Sequence, residues 1–360
     1  MHDAAPSGAN RRRLELLKRL AGREFANVID KIVIVTSPGV AIPESPESVV
    51  QEFIKIPGGA AGRFVYETRA LKNVIERHSC NLLFQEAFPV PRITSIPILL
   101  TIHDLRDLSP AARDAGVSQR MAASSVIRNG VRRAAGIAAV SNFTKNEIVK
   151  FANADPAKVH LIFNAADHIE PPAAKALRSS SAILYVGHLE PRKRPDLLLE
   201  AFQWIQKEIP RSTLQFYGRG PLEKRLRARS IQLGLGGFVS FHANCNDREL
   251  SEMYQTAAAV AFPSKYEGFG IPLLEAMRFG APVVASNSSA IPEITGAAAL
   301  LVNSDDAHAW ADAIISILND TNLARDYSLR GGAREKKYSW AASARALVSL
   351  AESMTTKTKL

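Results

Sequence analysis

Short apolar runs recur along this chain, and stretches with helical spacing of apolar positions separate several of them. Runs this short, enriched in β-branched and aromatic residues, read as strands buried on both faces, the habit of parallel sheets. In the first half they are Lys31 to Val35, Asn81 to Phe84, Ile96 to Thr101, Ile137 to Val140 and Val159 to Phe163. In the second half they are Ala182 to Val186, Leu214 to Tyr217, Val239 to Phe241, Ala257 to Phe262, Val283-Val284 and Ala299 to Val302. The alternation predicts the α/β class, with each half a doubly wound, Rossmann-like domain. A Pro-, Ala- and Ser-rich stretch between them suits a connection. The predicted organisation is a first domain over 1–169, a linker over 170–181 and a second domain over 182–337.

Bulk composition narrows the partners. With 360 residues and 46% hydrophobic content the chain can bury two ordinary cores. Forty-five basic against 35 acidic residues give a net charge of +10, which favours anionic partners. Nucleic acid is not expected among them, because aromatic residues are 7% and no zinc-finger or RNP1-type motif is interleaved with the basic stretches. Only Cys80 and Cys245 occur, without metal-ligand spacing, so neither a disulfide framework nor a zinc site is indicated and a reducing cytoplasm is expected. No apolar run approaches the ~20 residues that span a bilayer. The arginine-rich amphipathic segment Asn10 to Phe25 reads as a solvated helix, with peripheral contact to an anionic membrane as the alternative.

The chemistry concentrates in the second half. After the strand ending at Phe262 comes Glu267-Gly268-Phe269-Gly270-Ile271-Pro272-Leu273-Leu274-Glu275, where Pro272 opens a short helix and Gly280 follows its end. A loop at a parallel strand's carboxyl end faces the ligand crevice, and unpaired N–H groups of the first helical turn, here Leu273 and Leu274, suit phosphate oxygens. Gly268 and Gly270, flanking Phe269, permit close approach. The carboxylates suit neutral hydroxyls instead: Glu267 those of a sugar, Glu275 those of a ribose.

Gly187-His188-Leu189-Glu190-Pro191-Arg192-Lys193 follows the first strand of the second half and supplies the basic counterpart. Arg192 as a fork and Lys193 as a point charge can stabilise a diphosphate leaving group. Gly218-Arg219-Gly220-Pro221 reads as a structural turn. In the first half His103 stands at a strand end, able to exchange a proton near neutrality. Ser141 to Glu147 opens a helix, where Thr144 and Glu147 fit a capping box. No metal cage is evident around Asp305-Asp306 or Asp104 and Asp107, so metal-independent chemistry is expected.

These residues resemble retaining glycosyltransferases of family 4, which have the GT-B architecture of two Rossmann-like domains facing a cleft. The likeness spans roughly 182 to 350 and rests on Gly187 to Lys193, Gly218 to Pro221, Phe238 to Phe241 and the two glutamates of Glu267 to Glu275, which match the family's E-x7-E pattern. Ile102 to Leu105, Val140 to Thr144 and Asn164 to Asp167 extend it more loosely. The resemblance implies that Gly187, Arg192 and Lys193 bind the donor diphosphate, that Glu267 contacts the transferred sugar and Glu275 the ribose, and that His103 sits near the reacting centre. It implies a GDP- or UDP-linked hexose as donor, mannose being favoured, no separate cofactor, and a glycan or lipid-linked acceptor in surface polysaccharide assembly. It also implies a terminal helix from 338 to 360 crossing back to the first domain.

The pattern departs from the family at three places. His188 stands where many relatives have Arg, and Ala165 where many have Gly. Met1 to Gly8 is short and polar and Arg11 to Leu20 already reads as a helix, so the family's first strand is expected to be missing and the first domain N-terminally incomplete. A sugar-nucleotide epimerase or synthase of the same architecture is the alternative enzyme, and a basic nucleic-acid-binding protein the alternative of another class. A nicotinamide dehydrogenase is disfavoured, since no strand leads into G-x-G-x-x-G.

Overall fold

The computed structural model describes residues 8–36, 48–54, 66–92, 95–110, 117–171, 181–243, 246–303 and 305–356. Met1 to Ser7, most of the expected linker and Cys245 lie outside the described residues. In the first half the elements run α1 (Gly8–Leu20), β1 (Ile32–Thr36), β2 (Val49–Phe53), α2 (Leu71–Arg77), β3 (Leu83–Gln85), β4 (Ile98–Ile102), α3 (Val117–Arg133), β5 (Gly136–Ala139), α4 (Asn142–Ala152) and β6 (Val159–Leu161). In the second half they run β7 (Ala182–Val186), α5 (Pro195–Glu208), β8 (Thr213–Tyr217), α6 (Glu223–Gln232), β9 (Val239–His242), α7 (Asp247–Thr256), β10 (Ala259–Phe262), α8 (Ile271–Arg278), β11 (Val283–Ser286), α9 (Ile291–Thr295), β12 (Ala299–Val302), α10 (Ala307–Asn319), α11 (Thr321–Glu335) and α12 (Trp340–Thr356).

Every described strand pair is parallel. The second half forms one six-stranded sheet in the order β12-β11-β10-β7-β8-β9. The chain reverses its direction of travel across this sheet between β7 and β10, so the crevice for a ligand opens beyond their carboxyl ends. In β10 all four residues are buried, as its unbroken apolar run requires. Burying side chains such as Val260 and Phe262 stabilises by about 1.5–3 kcal/mol each.

The strands of the first half fall into a β3-β4-β5-β6 sheet and a separate β1-β2 pair. Within the pair, Ile32 is opposite Val49 and Thr36 opposite Phe53. Sequence pattern alone misses β2 because Gln51 and Glu52 interrupt its apolar residues. Gln51 donates to Thr36 Oγ1 (3.0 Å), and Glu52 pairs with Arg77 (3.0 Å) and His78 (2.6 Å). The first described element is the helix α1, as Arg11 to Leu20 predicts.

One apolar cluster runs through both halves, joining Leu16, Leu99, Ala138 and Ile162 to Phe269, Ile271, Trp340 and Leu347. Helix α12 lies against the first half. Ser343 Oγ donates to the Phe163 carbonyl (2.7 Å), and Arg345 pairs with Glu24 (3.0 Å).

Candidate active site

The turn after β7 is built on backbone contact. Gly187 N–H donates to the Tyr217 carbonyl (2.9 Å), and a Cβ on Gly218 would stand 2.0 Å from the Gly187 carbonyl oxygen. The glycines of 218–221 therefore support the Gly187 turn from behind. A 3-10 turn over Pro191–Lys193 then ends at Arg194 in the left-handed region, φ 51°, just before Pro195 opens α5. The Arg192 carbonyl accepts from Lys265 N–H (2.9 Å) and its guanidinium donates to the Tyr266 carbonyl, which locks this turn to the loop after β10.

Glu267, Lys193 and Arg192 converge at that junction. Lys193 Nζ stands 2.9 Å and Arg192 Nη1 3.4 Å from Glu267 Oε1, and Arg192 also pairs with Glu190. Burial alone would raise the Glu267 pKa, but the attraction of Lys193 and Arg192 outweighs it and holds the carboxyl below its ordinary range. Burial likewise works against the Arg192 charge, and Glu267 and Glu190 beside it leave its pKa raised. The Glu267 backbone is fixed as well: its N–H donates to Ser289 Oγ (2.9 Å), and its carbonyl accepts from Ala290 N–H (3.3 Å).

Glu275 lies in a separate, buried cluster. Tyr254 OH donates to its Oε2 (2.8 Å), and His168 Nε2 stands 3.1 Å from its Oε1. Helix α8 begins at Ile271, one residue before Pro272, with Gly270 as its cap at φ 95°. The expectation of a free Leu273 N–H is corrected, since it donates to the Gly270 carbonyl (3.0 Å). The Leu273 and Leu274 side chains are wholly buried. Phe269 packs inward, its ring edge-on to Tyr338 at 5.8 Å and tilted against Phe163 at 6.5 Å.

The two halves meet at Gly268. A Cβ there would lie 1.8 Å from the His103 carbonyl oxygen, so only glycine admits this approach. The Gly268 carbonyl accepts from Ser141 Oγ (2.6 Å) and Thr144 Oγ1 (3.1 Å). Ser141, not Thr144, caps α4, accepting from Thr144 N–H (3.0 Å). The capping-box reading fails because Glu147 faces elsewhere: it accepts from Ser109 Oγ (2.5 Å) and from Tyr266 OH across the junction. Tyr266 OH in turn accepts from Leu105 N–H (3.0 Å). Burial dominates at Glu147 and raises its pKa. Glu293 closes the same side, accepting from the N–H groups of Asn142 (2.8 Å) and Phe143 (2.9 Å).

His103 follows β4, with its Nε2 buried and without a hydrogen-bond partner. Burial, reinforced by Arg12 and Arg13, depresses its pKa to about 3, so the ring is neutral at physiological pH. The arginines of α1 are tied into the protein rather than solvated throughout. Arg12 is fully buried, donating to the carbonyls of Ile162 (3.0 Å) and Phe163 (3.2 Å) and to Asn164 Oδ1 (2.7 Å), while Arg13 pairs with Glu86 (3.0 Å).

Asp305 and Asp306 have structural partners. Asp305 pairs with Arg194 (2.8 Å) and Lys265 (3.1 Å), and Asp306 caps α10. His188 is exposed and Ala165 buried. Sequence reasoning misses Glu190, Tyr266, Tyr254 and His168, whose partners are distant in the chain or carry no motif. Only Glu190, inside the basic turn, had a local signal.

Two family models match the chain, one described as Glycosyltransferase Family 4 over residues 6–169 and one as Glycosyl transferases group 1 over 172–334. With both halves matched, the chain belongs to the family 4 glycosyltransferases, and its two facing Rossmann-like domains are the GT-B fold. Among relatives, the O-antigen chain mannosyltransferase B of Escherichia coli is 32% identical over 216 residues, covering 57% of each chain. A D-inositol 3-phosphate glycosyltransferase of Jonesia denitrificans is 27% identical over 272 residues, covering 68% of this chain and 63% of the relative. The chain thus spans about three-fifths of the length of these relatives. In fold it is similar to sucrose-phosphate synthase of Thermosynechococcus elongatus, with a TM-score of 0.78 at 22% identity over 98% of this chain and 94% of that one. It is also similar to Anabaena HepE in complex with UDP and glucose, with a TM-score of 0.74 at 17% identity over 97% of each.

Proposed function

We propose that this chain transfers a hexose from a nucleotide diphosphate sugar to a hydroxyl of a glycan or lipid-linked acceptor. The observation that carries the reading is the Glu267 carboxylate held by Lys193 and Arg192 where the second sheet reverses direction. Lys193, with three donors and one carboxylate contact at 2.9 Å, has protons left for diphosphate oxygens. Arg192 is already engaged by Tyr266 and Glu190, so it chiefly adds positive potential. Glu267, kept ionised, accepts from sugar hydroxyls, and Glu275 from the ribose.

Negative charge gathers on the departing diphosphate as the glycosidic bond breaks, and pre-placed cations in a site shielded from water stabilise it. The acceptor oxygen attacks the anomeric carbon from the face the diphosphate leaves, and its proton passes to a diphosphate oxygen. The product thereby keeps the donor's anomeric configuration. Neutral His103 borders this region as a hydrogen-bonding group, since a ring with so low a pKa does not supply a proton near neutrality. The donor is a GDP- or UDP-linked hexose, with mannose favoured by the E. coli relative's name and UDP by the HepE complex. The acceptor belongs to surface polysaccharide assembly, a reading supported by the O-antigen chain in the E. coli relative's name.

The test is turnover of GDP- and UDP-hexoses against glycan and lipid-linked acceptors, with the product's anomeric configuration read by NMR. Retention, with turnover unchanged by EDTA, is expected. Inversion, epimerised nucleotide sugar as the product, or activity lost to EDTA and restored by magnesium or manganese would each overturn part of the reading.

A further inference from the structure

Glu267 sits between two residues that hydrogen-bond to the other half of the protein. Before it, the Tyr266 ring crosses into the first half: its OH accepts from Leu105 N–H (3.0 Å) and donates to the Glu147 carboxylate. After it, the Gly268 carbonyl accepts from Ser141 Oγ (2.6 Å) and Thr144 Oγ1 (3.1 Å). Ser141 caps α4, and both Thr144 and Glu147 lie on that helix. One helix of the first half therefore cradles the loop that presents Glu267 to Lys193 and Arg192 of the second.

Tyr266 is gripped on several sides. It is wholly buried, Phe143 stands edge-on to its ring at 5.6 Å, and Ser109 Oγ donates to Glu147 from behind (2.5 Å). A tyrosine turns about few side-chain torsions, so fixing the ring and its hydroxyl also fixes the main chain. That main chain works in the second half. Its carbonyl accepts from the Arg192 guanidinium, and the next residue is Glu267 itself. Lys193, by contrast, is held by its own turn, its N–H donating to the Glu190 carbonyl (3.0 Å). Its grip on a diphosphate therefore does not pass through Tyr266.

We propose that Tyr266 is a positioning residue: anchored on Glu147 of α4, it sets Arg192 and Glu267 for the transferred sugar, so that the sugar subsite is complete only where the two halves meet. The proposal rests on the reading that Glu267 contacts that sugar. It adds that a carboxylate of the first half, acting through Tyr266, governs turnover of a donor held by the second.

The experiment follows release of UDP or GDP from UDP- and GDP-linked glucose, galactose and mannose with water as acceptor, beside calorimetric binding of UDP and GDP. Wild type, Tyr266→Phe, Glu147→Leu, Glu147→Gln and Glu267→Gln are compared per folded molecule, well below their melting temperatures. In Tyr266→Phe kcat should fall about 10-fold or more, the scale of one hydrogen bond to a charged group, with nucleotide affinity within about 3-fold of the wild type. Glu147→Leu should do the same, and the double variant should lose no more than either single one. Glu147→Gln, which keeps an oxygen for the Tyr266 hydroxyl, should recover most of the rate. Lost stability alone would leave kcat per folded molecule unchanged. Wild-type kcat in Tyr266→Phe beside an impaired Glu267→Gln would overturn the inference alone, whereas full release by Glu267→Gln, or none by the wild type, would remove the sugar reading beneath it. If Tyr266→Phe does not fold, Ser109→Ala, which frees Glu147 on one side, is read in the same way: a lowered kcat at unchanged nucleotide affinity supports the proposal and an unchanged kcat overturns it.

Discussion

Lys193 Nζ lies 2.9 Å from Glu267 Oε1, joining the turn after β7 to the loop after β10 at the reversal point of the second sheet. Lys193→Ala or Glu267→Gln should each lower sugar transfer by about 100-fold or more, the scale of removing one pre-placed electrostatic group. Truncating the lysine should also destabilise the fold by about 3–5 kcal/mol, because Glu267 then loses a partner inside the protein. Turnover and thermal unfolding measured side by side check both; near-normal turnover in either variant would contradict the site assignment.

Gly268 is where the halves touch, a Cβ there standing 1.8 Å from the His103 carbonyl oxygen. Gly268→Ala should therefore push the halves apart, raising the radius of gyration in small-angle scattering and slowing transfer. An unchanged scattering profile with full turnover would show that this contact does not hold the cleft.

The acid limb of stability has a defined sign. Burial beside Arg12 and Arg13 lowers the His103 pKa to about 3, whereas an unfolded histidine titrates near 6.5. As pH falls from about 6.5 towards 3, the unfolded chain takes up a proton that the folded one refuses, costing up to about 1.4 kcal/mol per pH unit. Glu267 acts in the same direction at lower pH: its depressed pKa adds stability above about 4.3 that is lost as pH falls through the folded value. Glu147 opposes them, its raised pKa stabilising the fold at low pH and losing that contribution as pH rises through the folded value. His103→Gln should flatten the denaturant-measured stability profile between pH 6.5 and about 3; a profile parallel to the wild type would contradict this.

Tyr266 carries the bridge between Leu105 N–H and Glu147. Tyr266→Phe leaves that N–H and carboxylate without their shared partner, at a cost of about 1–3 kcal/mol. The corresponding fall in Tm is about 2–4 °C per kcal/mol for a chain or domain near 200 residues. A melting curve superimposable on the wild type would mean that the bridge contributes nothing in solution.

Much of this was legible in the sequence where chemistry and chain proximity coincide. β10, α8 and the turn at Gly187 announce themselves because an apolar run, a glycine and a charged residue follow within a few positions. Lys193 and Glu267 could be paired in advance because parallel sheets bring loops at strand carboxyl ends together. β2 was hidden by Gln51 and Glu52, and the partner of Glu147 could not be read because Tyr266 is remote in sequence. The same holds for His168 and Tyr254, which become neighbours of Glu275 only after three elements pack. Leu273 shows the limit of helix-start reasoning: the tightened first turn at Gly270 uses the N–H that an ideal helix would leave open.

The most direct measurement compares a nucleoside diphosphate with its nucleoside, UDP with uridine or GDP with guanosine, binding to the wild type and to Lys193→Ala by calorimetry. If the cations at the sheet reversal grip the diphosphate, the wild type should favour the diphosphate strongly, and the variant should lose about 10-fold or more of that preference. An equal preference in both proteins would contradict the account.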